Sequence, residues 1–337
     1  MCIRDRTATL LVGLLFLLMS LFHIRETVVK HMPRSLQNAI SAGIGLFIAS
    51  IGLKNAGIIV ANDTSLIALG NLSAPAPLLA CFGLCITSIL LVRKVPMALL
   101  FGIAITTILG FFVGVTKMPT AIFSAPPSLT PTFLHFDFSH LFSWDMLFVV
   151  FAFAMVGIFN TAGTLIGFAT KSGWMDENNE LPVAKKALLS DAVGTTVGAC
   201  LGTSTLTIFA ESASGIAAGG KTGLTALTAA LCLILAVFLS PLILIVPNAA
   251  TGPALVLVGV FMASPLANID FVDYSEGIPA FLTAVMMPFT SSLADGIGIG
   301  VIAYCILKLT GGPKLRQDLN PMILTFALLF VLKYLFL

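Results

Sequence analysis

Long apolar stretches recur along the whole chain and leave little room for any other kind of sequence. A helix needs about 20 apolar residues to cross a bilayer, within a range of about 17–25. Stretches of that length or somewhat shorter fall at residues 7–22, 37–53, 76–92, 97–115, 146–170, 187–201, 222–246, 250–266, 278–290, 292–308 and 321–336. This succession predicts an all-α polytopic membrane protein. Short or broken spans are typical of transporters, in which irregular backbone lines a cavity.

The scarcity of charge excludes most other classes of protein. Only 9% of the 337 residues are charged, against about 25% in an ordinary soluble domain. A soluble enzyme of this size needs a charged surface, and this chain has too few charged residues to form one. A disordered chain would not be 58% hydrophobic. The net charge of +2 is too small to indicate nucleic acid as a partner. The bilayer is therefore the expected environment.

Basic residues between the stretches predict the orientation. Arg25, Lys30 and Arg34 follow the first stretch and mark that side as cytoplasmic. If membrane crossings are counted from that side, the later basic loops stay cytoplasmic only when residues 278–308 form two helices instead of one. We expect these two helices to be separated at Pro288. A single helix over that length would measure about 46 Å, more than the hydrocarbon core. Two alternatives stay open for 321–336, which either spans the membrane or lies at the interface.

The best candidate for a functional group is Glu211, a carboxylate in a region that should be at membrane depth. Before it, residues 203–209 are rich in threonine and favour an extended backbone. After it, residues 211–218 are small and compatible with a helix. This pattern predicts a broken segment whose half-helix exposes backbone N–H groups to a small polar ligand. The alternative is an ordinary loop with Glu211 as a solvated helix cap.

Other polar residues within the stretches have simpler explanations. Asp191 lies near Lys185 and Lys186, so an ion pair at a helix end is expected. Asp295 begins a helix after the proline break, where a solvated carboxylate is the default expectation. Asn160 and Thr164 share one helix face, and an asparagine amide can match the edge of a nucleobase or bond to a neighbouring helix.

No sequence motif supports catalysis or metal binding. HExxH, GxSxG and phosphate-binding loops are absent from the sequence. An intramembrane enzyme is therefore the least favoured hypothesis, and we expect no cofactor and no metal.

Several long motifs resemble one family. Residues 159–165 (FNTAGTL) are similar to the FD-x-x-GTL motif of bacterial and fungal purine permeases. Residues 202–225 resemble their GTST…ESA-x-G…AGG-[RK]-TGLTA signature, and residues 278–290 resemble their IPAFLT…MMPFT run. The resemblance is to the AzgA-like branch (adenine, guanine and hypoxanthine permeases) of the nucleobase–cation symporter-2 superfamily, and it extends over the chain from about residue 10.

The resemblance implies an architecture that pattern alone does not. The family has two inverted seven-segment repeats, which form a core domain and a gate domain with the substrate between them. By this comparison the chain lacks about the first three segments and is truncated at its N-terminus, with residues 1–6 not native. The implied division is residues 1–22 as the last core helix of the first repeat, 37–115 as gate, 146–246 as core, 250–308 as gate, and 321–337 as a C-terminal helix.

The resemblance also implies roles for individual residues. Glu211 matches the carboxylate that contacts the base and is the candidate for proton coupling, and Ala210 would offer its backbone amide. Asn160 and Thr164 fall on the other binding motif. The expected binding set is completed by Phe209, Ser212 and Thr161.

Two positions depart from the family's pattern. Asn160 stands where relatives usually have an acidic residue, and Gly157 stands where many have a second one. These departures remove two carboxylates that could bind substrate or take up a proton.

The leading hypothesis is therefore a multi-pass transporter of the plasma membrane, the inner membrane in bacteria, that imports a purine base with protons by alternating access. One alternative keeps the fold and changes the cargo to uracil, xanthine or a small anion. Another is a binder or fragment that is inactive in transport. A homodimer would be compatible with the resemblance.

Overall fold

The computed structural model describes residues 3–22, 25–27, 32–62, 66–118, 121–126, 128–139, 143–172, 174, 181–209, 212–317 and 319–336. Helices make up most of this part of the chain. They are α1 (Ile3–Leu21), α2 (Arg34–Asn55), α3 (Pro75–Val92), α4 (Ala98–Val113), α5 (Trp144–Ser172), α6 (Ala184–Leu201), α7 (Ser212–Ala217), α8 (Gly223–Phe238), α9 (Ser240–Ile243), α10 (Asn248–Ala263), α11 (Tyr274–Thr290), α12 (Leu293–Thr310), α13 (Pro313–Arg316) and α14 (Pro321–Phe336). A 3-10 turn, Ser264–Asn268, follows α10.

Several helices have the length and composition of membrane spans. Among the described residues, 5 helices qualify: Arg34–Asn55, Pro75–Val92, Met146–Leu165, Asn248–Asn268 and Leu293–Thr310. Shorter apolar helices cover Ala98–Val113, Gly223–Phe238 and Pro321–Leu335. Each of the predicted stretches contains a helix among the described residues, and the predicted membrane character is confirmed.

A β-hairpin between α2 and α3 was not predicted. Strands β1 (Ile59–Asn62) and β2 (Leu66–Leu69) pair antiparallel, with Ile59 opposite Leu69 and Asn62 opposite Leu66. Each strand has only four residues, too few for an alternating pattern to distinguish it from a loop.

The division of residues 278–308 is present, but it does not fall at Pro288. Pro288 lies inside α11, and the break is at Ser291, whose φ of 53° ends the helix. Ser292 then caps α12, because its hydroxyl accepts a 3.2 Å hydrogen bond from the Asp295 N–H. A proline near the end of a helix removes only one hydrogen bond, so the helix continues past it.

The described chain forms two compact units, and each is described by itself. The first comprises residues 1–46, 128–210 and 262–337. In it α1 packs on α5 and α6, α11 pairs with α12, and α12 also packs on α5 and α14. The assignment of segments to core and gate domains stays a prediction.

The second unit comprises residues 47–127 and 211–261. It contains the hairpin, the paired helices α3 and α4, and α8. Its buried cluster consists of Ala56, Leu79, Ala80 and Ala249. Gly52 and Gly252 allow a close approach of backbones, since a Cβ on Gly52 would lie 2.6 Å from the Gly252 carbonyl oxygen. This small-residue contact is typical of helices packed in lipid.

Candidate functional site

The predicted broken segment is present between α6 and α7. Helix α6 ends at Gly202, whose φ of 93° is in the left-handed region that favours glycine. Its N–H donates to the Ala199 carbonyl at 3.0 Å, and the Thr203 N–H donates to the Gly198 carbonyl at 2.9 Å. Residues 203–209 are neither helical nor paired in a sheet, and the short helix α7 begins at Ser212.

The non-helical stretch folds back on the small-residue face of α6. The Thr195 hydroxyl donates to the Leu206 carbonyl at 3.2 Å. A Cβ on Gly198 would lie 3.3 Å from Leu206 Cδ1, and a Cβ on Gly194 would lie 3.4 Å from the same atom. These glycines therefore accommodate a side chain of the broken segment.

The same stretch reaches helix α5, which carries the second predicted motif. Ile208 packs against the buried cluster that contains Leu165, Ala169 and Leu188. Leu165 follows Thr164 directly. The structure thus brings residues 203–209 up to the helix of Asn160, Thr161 and Thr164 within one compact unit.

The three predicted binding residues on α5 have different surroundings. Asn160 is half-buried. Thr164 is fully buried, and its hydroxyl donates to the carbonyl oxygen of Asn160, one turn earlier. Thr161 is also fully buried, with its hydroxyl 3.4 Å from each carboxylate oxygen of Asp191. Of the three, Asn160 is the side chain with exposed surface.

The other predicted binding residues lie on the broken segment. Phe209 is 66% exposed at the end of the non-helical stretch. Ser212 is exposed at the first position of α7. Ala210 and Glu211 lie outside the described residues.

Asp191 forms an ion pair, but the predicted partners were wrong. Its carboxylate lies 2.7 Å from the Arg25 guanidinium, and the two side chains are 4% and 1% exposed. Lys185 and Lys186 are exposed on the first turn of α6. They precede Asp191 by six and five residues, whereas helix neighbours on one face are three or four apart.

Arg25 is a buried residue that the sequence pattern does not single out. Its position after the first span predicts a cytoplasmic loop residue, yet it is buried and also donates to the Leu188 carbonyl at 3.1 Å. Its guanidinium carbon lies 4.2 Å from the centroid of the Phe16 ring. Its carboxylate partner is 166 positions away, so no spacing rule could have found the pair.

Asp295 begins α12 as predicted, but it is not simply solvated. Its carboxylate lies 2.6 Å from the Lys333 ammonium, and its carbonyl accepts a 3.2 Å hydrogen bond from the Tyr334 hydroxyl. Both partners belong to α14, which therefore packs along α12.

Comparison with known proteins identifies the family. The Xan_ur_permease model, described as "Permease family", matches residues 6–299. Adenine permease AdeP of Escherichia coli is 43% identical over 320 residues, covering 95% of this chain and 71% of that protein. Guanine/hypoxanthine permease PbuG of Bacillus subtilis is 41% identical over 329 residues, covering 96% and 74%.

A solved structure matches the fold. The transmembrane domain of the cyanobacterial bicarbonate transporter BicA gives a TM-score of 0.60 at 17% identity, covering 88% of this chain and 76% of that chain. At this identity the likeness concerns the fold alone. From the family match and the two permease relatives, the chain belongs to this permease family and is a multi-pass transporter of the plasma membrane, not an enzyme.

Proposed function

We propose that the chain imports purine bases, driven by protons that move in the same direction, and that it needs no bound cofactor. The named cargoes of AdeP and PbuG, which are 43% and 41% identical to this chain, support this substrate class. Adenine, guanine and hypoxanthine share a flat ring system whose edge carries both hydrogen-bond donors and acceptors. A purine site therefore needs groups of both kinds.

The observation that carries the proposal is the non-helical stretch 203–209 packed against the helix of Asn160. A half-helix after such a stretch exposes N–H donors, and the Asn160 amide offers one donor group and one acceptor. Glu211 would accept hydrogen bonds from ring N–H groups. Phe209 would contribute an aromatic face, with Ser212 and the backbone of Ala210 beside Glu211.

Glu211 is also the proposed proton carrier. A carboxylate at membrane depth is costly when charged, and uptake of a proton removes that charge. Binding of a proton and a base together would then favour movement of the loaded site from one side to the other. Alternating access of this kind is general for transporters with broken helices.

The test is uptake of radiolabelled adenine and hypoxanthine by cells that lack their own purine permeases, with and without a protonophore. We expect saturable uptake that the protonophore abolishes. Glu211→Gln should lower uptake at least about tenfold and flatten its dependence on external pH, as expected for loss of a group that binds and titrates. Asp270→Asn is the matched control, because Asp270 is an exposed carboxylate whose side chain bonds to the Val272 N–H.

Competition with unlabelled bases distinguishes the alternatives. Inhibition by adenine, guanine or hypoxanthine supports the proposal, whereas inhibition by uracil or xanthine alone would favour another nucleobase. The fold is shared with a bicarbonate transporter, so bicarbonate belongs among the competitors. Binding of a purine without uptake would favour an inactive binder, and Glu211→Gln with unchanged uptake and pH dependence would overturn the assigned role.

A further inference from the structure

The Arg25–Asp191 pair joins three helices of the first unit. Asp191 is on α6, and its carboxylate meets the Thr161 hydroxyl of α5 at 3.4 Å. Arg25 follows α1 in the chain, donates to the Leu188 carbonyl of α6, and lies over the Phe16 ring of α1. One buried charge pair therefore contacts side chains or backbone of α1, α5 and α6.

The contact on α5 falls on Thr161, a residue of the predicted binding set that is fully buried. Thr161 is the direct neighbour of Asn160, the predicted α5 residue that keeps exposed surface. Thr164, one turn on, donates to the Asn160 carbonyl. The Asn160 carbonyl is thus bonded to the Thr164 hydroxyl. The hydroxyl of the next residue, Thr161, contacts the Asp191 carboxylate.

Stability alone does not account for a pair in this position. Both side chains are almost fully buried, at 1% and 4% exposure, and a buried ion pair seldom stabilises more than apolar residues of the same volume. The Nε atom of Arg25 also has no hydrogen-bond partner among the described residues. The pair does, however, fix how the segments that carry it are oriented to each other, because a guanidinium and a carboxylate meet in a defined geometry.

We propose that the Arg25–Asp191 pair is a positioning device for the substrate site, holding α5 at Thr161 and thereby setting where the Asn160 amide meets the purine. This inference rests on the proposed function and adds to it. Neither Arg25 nor Asp191 touches the substrate, and the pair acts through Thr161.

The test is equilibrium binding of radiolabelled adenine and hypoxanthine to the purified full chain, with thermal unfolding measured on the same samples. Asp191→Asn keeps the size of the side chain and removes its charge. We expect it to raise the Kd between about tenfold and a hundredfold, the range for loss of an orienting partner. Arg25→Lys keeps the charge but not the forked geometry, so it should fold and still raise the Kd.

The double variant Arg25→Gln/Asp191→Asn tests whether the two residues act as one unit. Its Kd should be no higher than that of the single variant with the higher Kd. Either single substitution already removes the interaction between the two residues, so the second substitution adds no further loss. Full additivity of the two effects would contradict a shared role.

The matched control is another ion pair of the same unit, in which the lysine is buried and the glutamate is partly exposed. Lys308, 2% exposed, lies 2.7 Å from Glu276, and the Ser35 hydroxyl also donates to Glu276. This pair involves α2, α11 and α12. Glu276→Gln should lower the unfolding temperature and leave the Kd unchanged.

The outcomes are distinct. A lower unfolding temperature with an unchanged Kd in Asp191→Asn, or an unchanged Kd in well-folded Arg25→Lys, would mean that the pair is only structural. A wild-type chain that binds no purine would overturn the proposed function and this inference with it. A raised Kd in Asp191→Asn but not in Glu276→Gln supports positioning.

Discussion

At the scale of single residues, Gly157 has no room for a side chain because Phe16 fills the space beside it. A Cβ on Gly157 would lie 2.6 Å from Cζ of Phe16 and 2.8 Å from Cε2. The ring is fully buried and also lies under the Arg25 guanidinium. Phe16 therefore cannot move aside without disturbing the buried ion pair.

We predict that Gly157→Ala destabilises the protein by about 1–3 kcal/mol, the usual cost of overpacking. The second substitution Phe16→Leu in the same chain should recover part of the loss, since leucine leaves room for the added methyl group. The measurement is the thermal midpoint of the purified protein in detergent. A double variant less stable than both single variants would mean that the Phe16 contact is not the cause.

The polar residues show where sequence-based prediction ends. Asn160 and Thr164 could be placed on one face because a helix fixes the neighbours of each residue. The pairing of Asp191 with Arg25 could not be predicted in this way, because it depends on how α1 and α6 pack and not on any local spacing. The distribution of basic residues predicts that Arg25 is solvated and not buried, since a basic residue after a span normally lies in water on the cytoplasmic side.

At the scale of elements, the close packing of residues 203–209 on α6 depends on Gly198. A Cβ there would lie 2.6 Å from the Thr203 hydroxyl oxygen and 3.3 Å from Leu206. Gly194, on the same face one turn earlier, meets only Leu206, at 3.4 Å, which is ordinary van der Waals contact. Alanine at Gly198 would therefore clash with the broken segment, whereas alanine at Gly194 would only touch it.

We predict that Gly198→Ala lowers transport more than Gly194→Ala does, because it must displace the start of the non-helical stretch. The stability cost at Gly198 should be about 1–2 kcal/mol, and at Gly194 near zero. Uptake is measured per amount of membrane-inserted protein, so that a loss of expression is not counted as a loss of transport. Equal effects of the two substitutions would contradict a special role of the Gly198 contact.

Breaks in helices were predicted to different degrees. The break after α6 was expected because the threonines of residues 203–209 favour an extended backbone. The break in 278–308 was expected at the wrong residue, because Pro288 is a stronger local signal than the serine that adopts a positive φ. The hairpin Ile59–Asn62 and Leu66–Leu69 was missed because its strands are stabilised by pairing with each other, not by a long apolar run.

At the scale of the whole molecule, the sequence pattern allows residues 321–336 either to span the membrane or to lie at the interface. In the structure α14 runs antiparallel to α12. Near one end, the Cys305 thiol lies 3.8 Å from the Ile323 carbonyl oxygen, and near the other Lys333 pairs with Asp295. Phe330 packs beside Gly298, between these two contacts. Because α12 is a candidate span, α14 covers most of the same depth.

We therefore predict that Lys333 lies on the same side of the membrane as the turn at Ser291 and Ser292, opposite Lys314 and Arg316. Single cysteines at Ser291, Lys314 and Tyr334, in a background with the native cysteines replaced, can be labelled by a membrane-impermeant maleimide in intact cells and in inverted vesicles. Positions 291 and 334 should label from one side and position 314 from the other. Labelling of 314 and 334 from the same side would mean that α14 lies at the interface, and the contacts of Lys333 with Asp295 would then need another explanation.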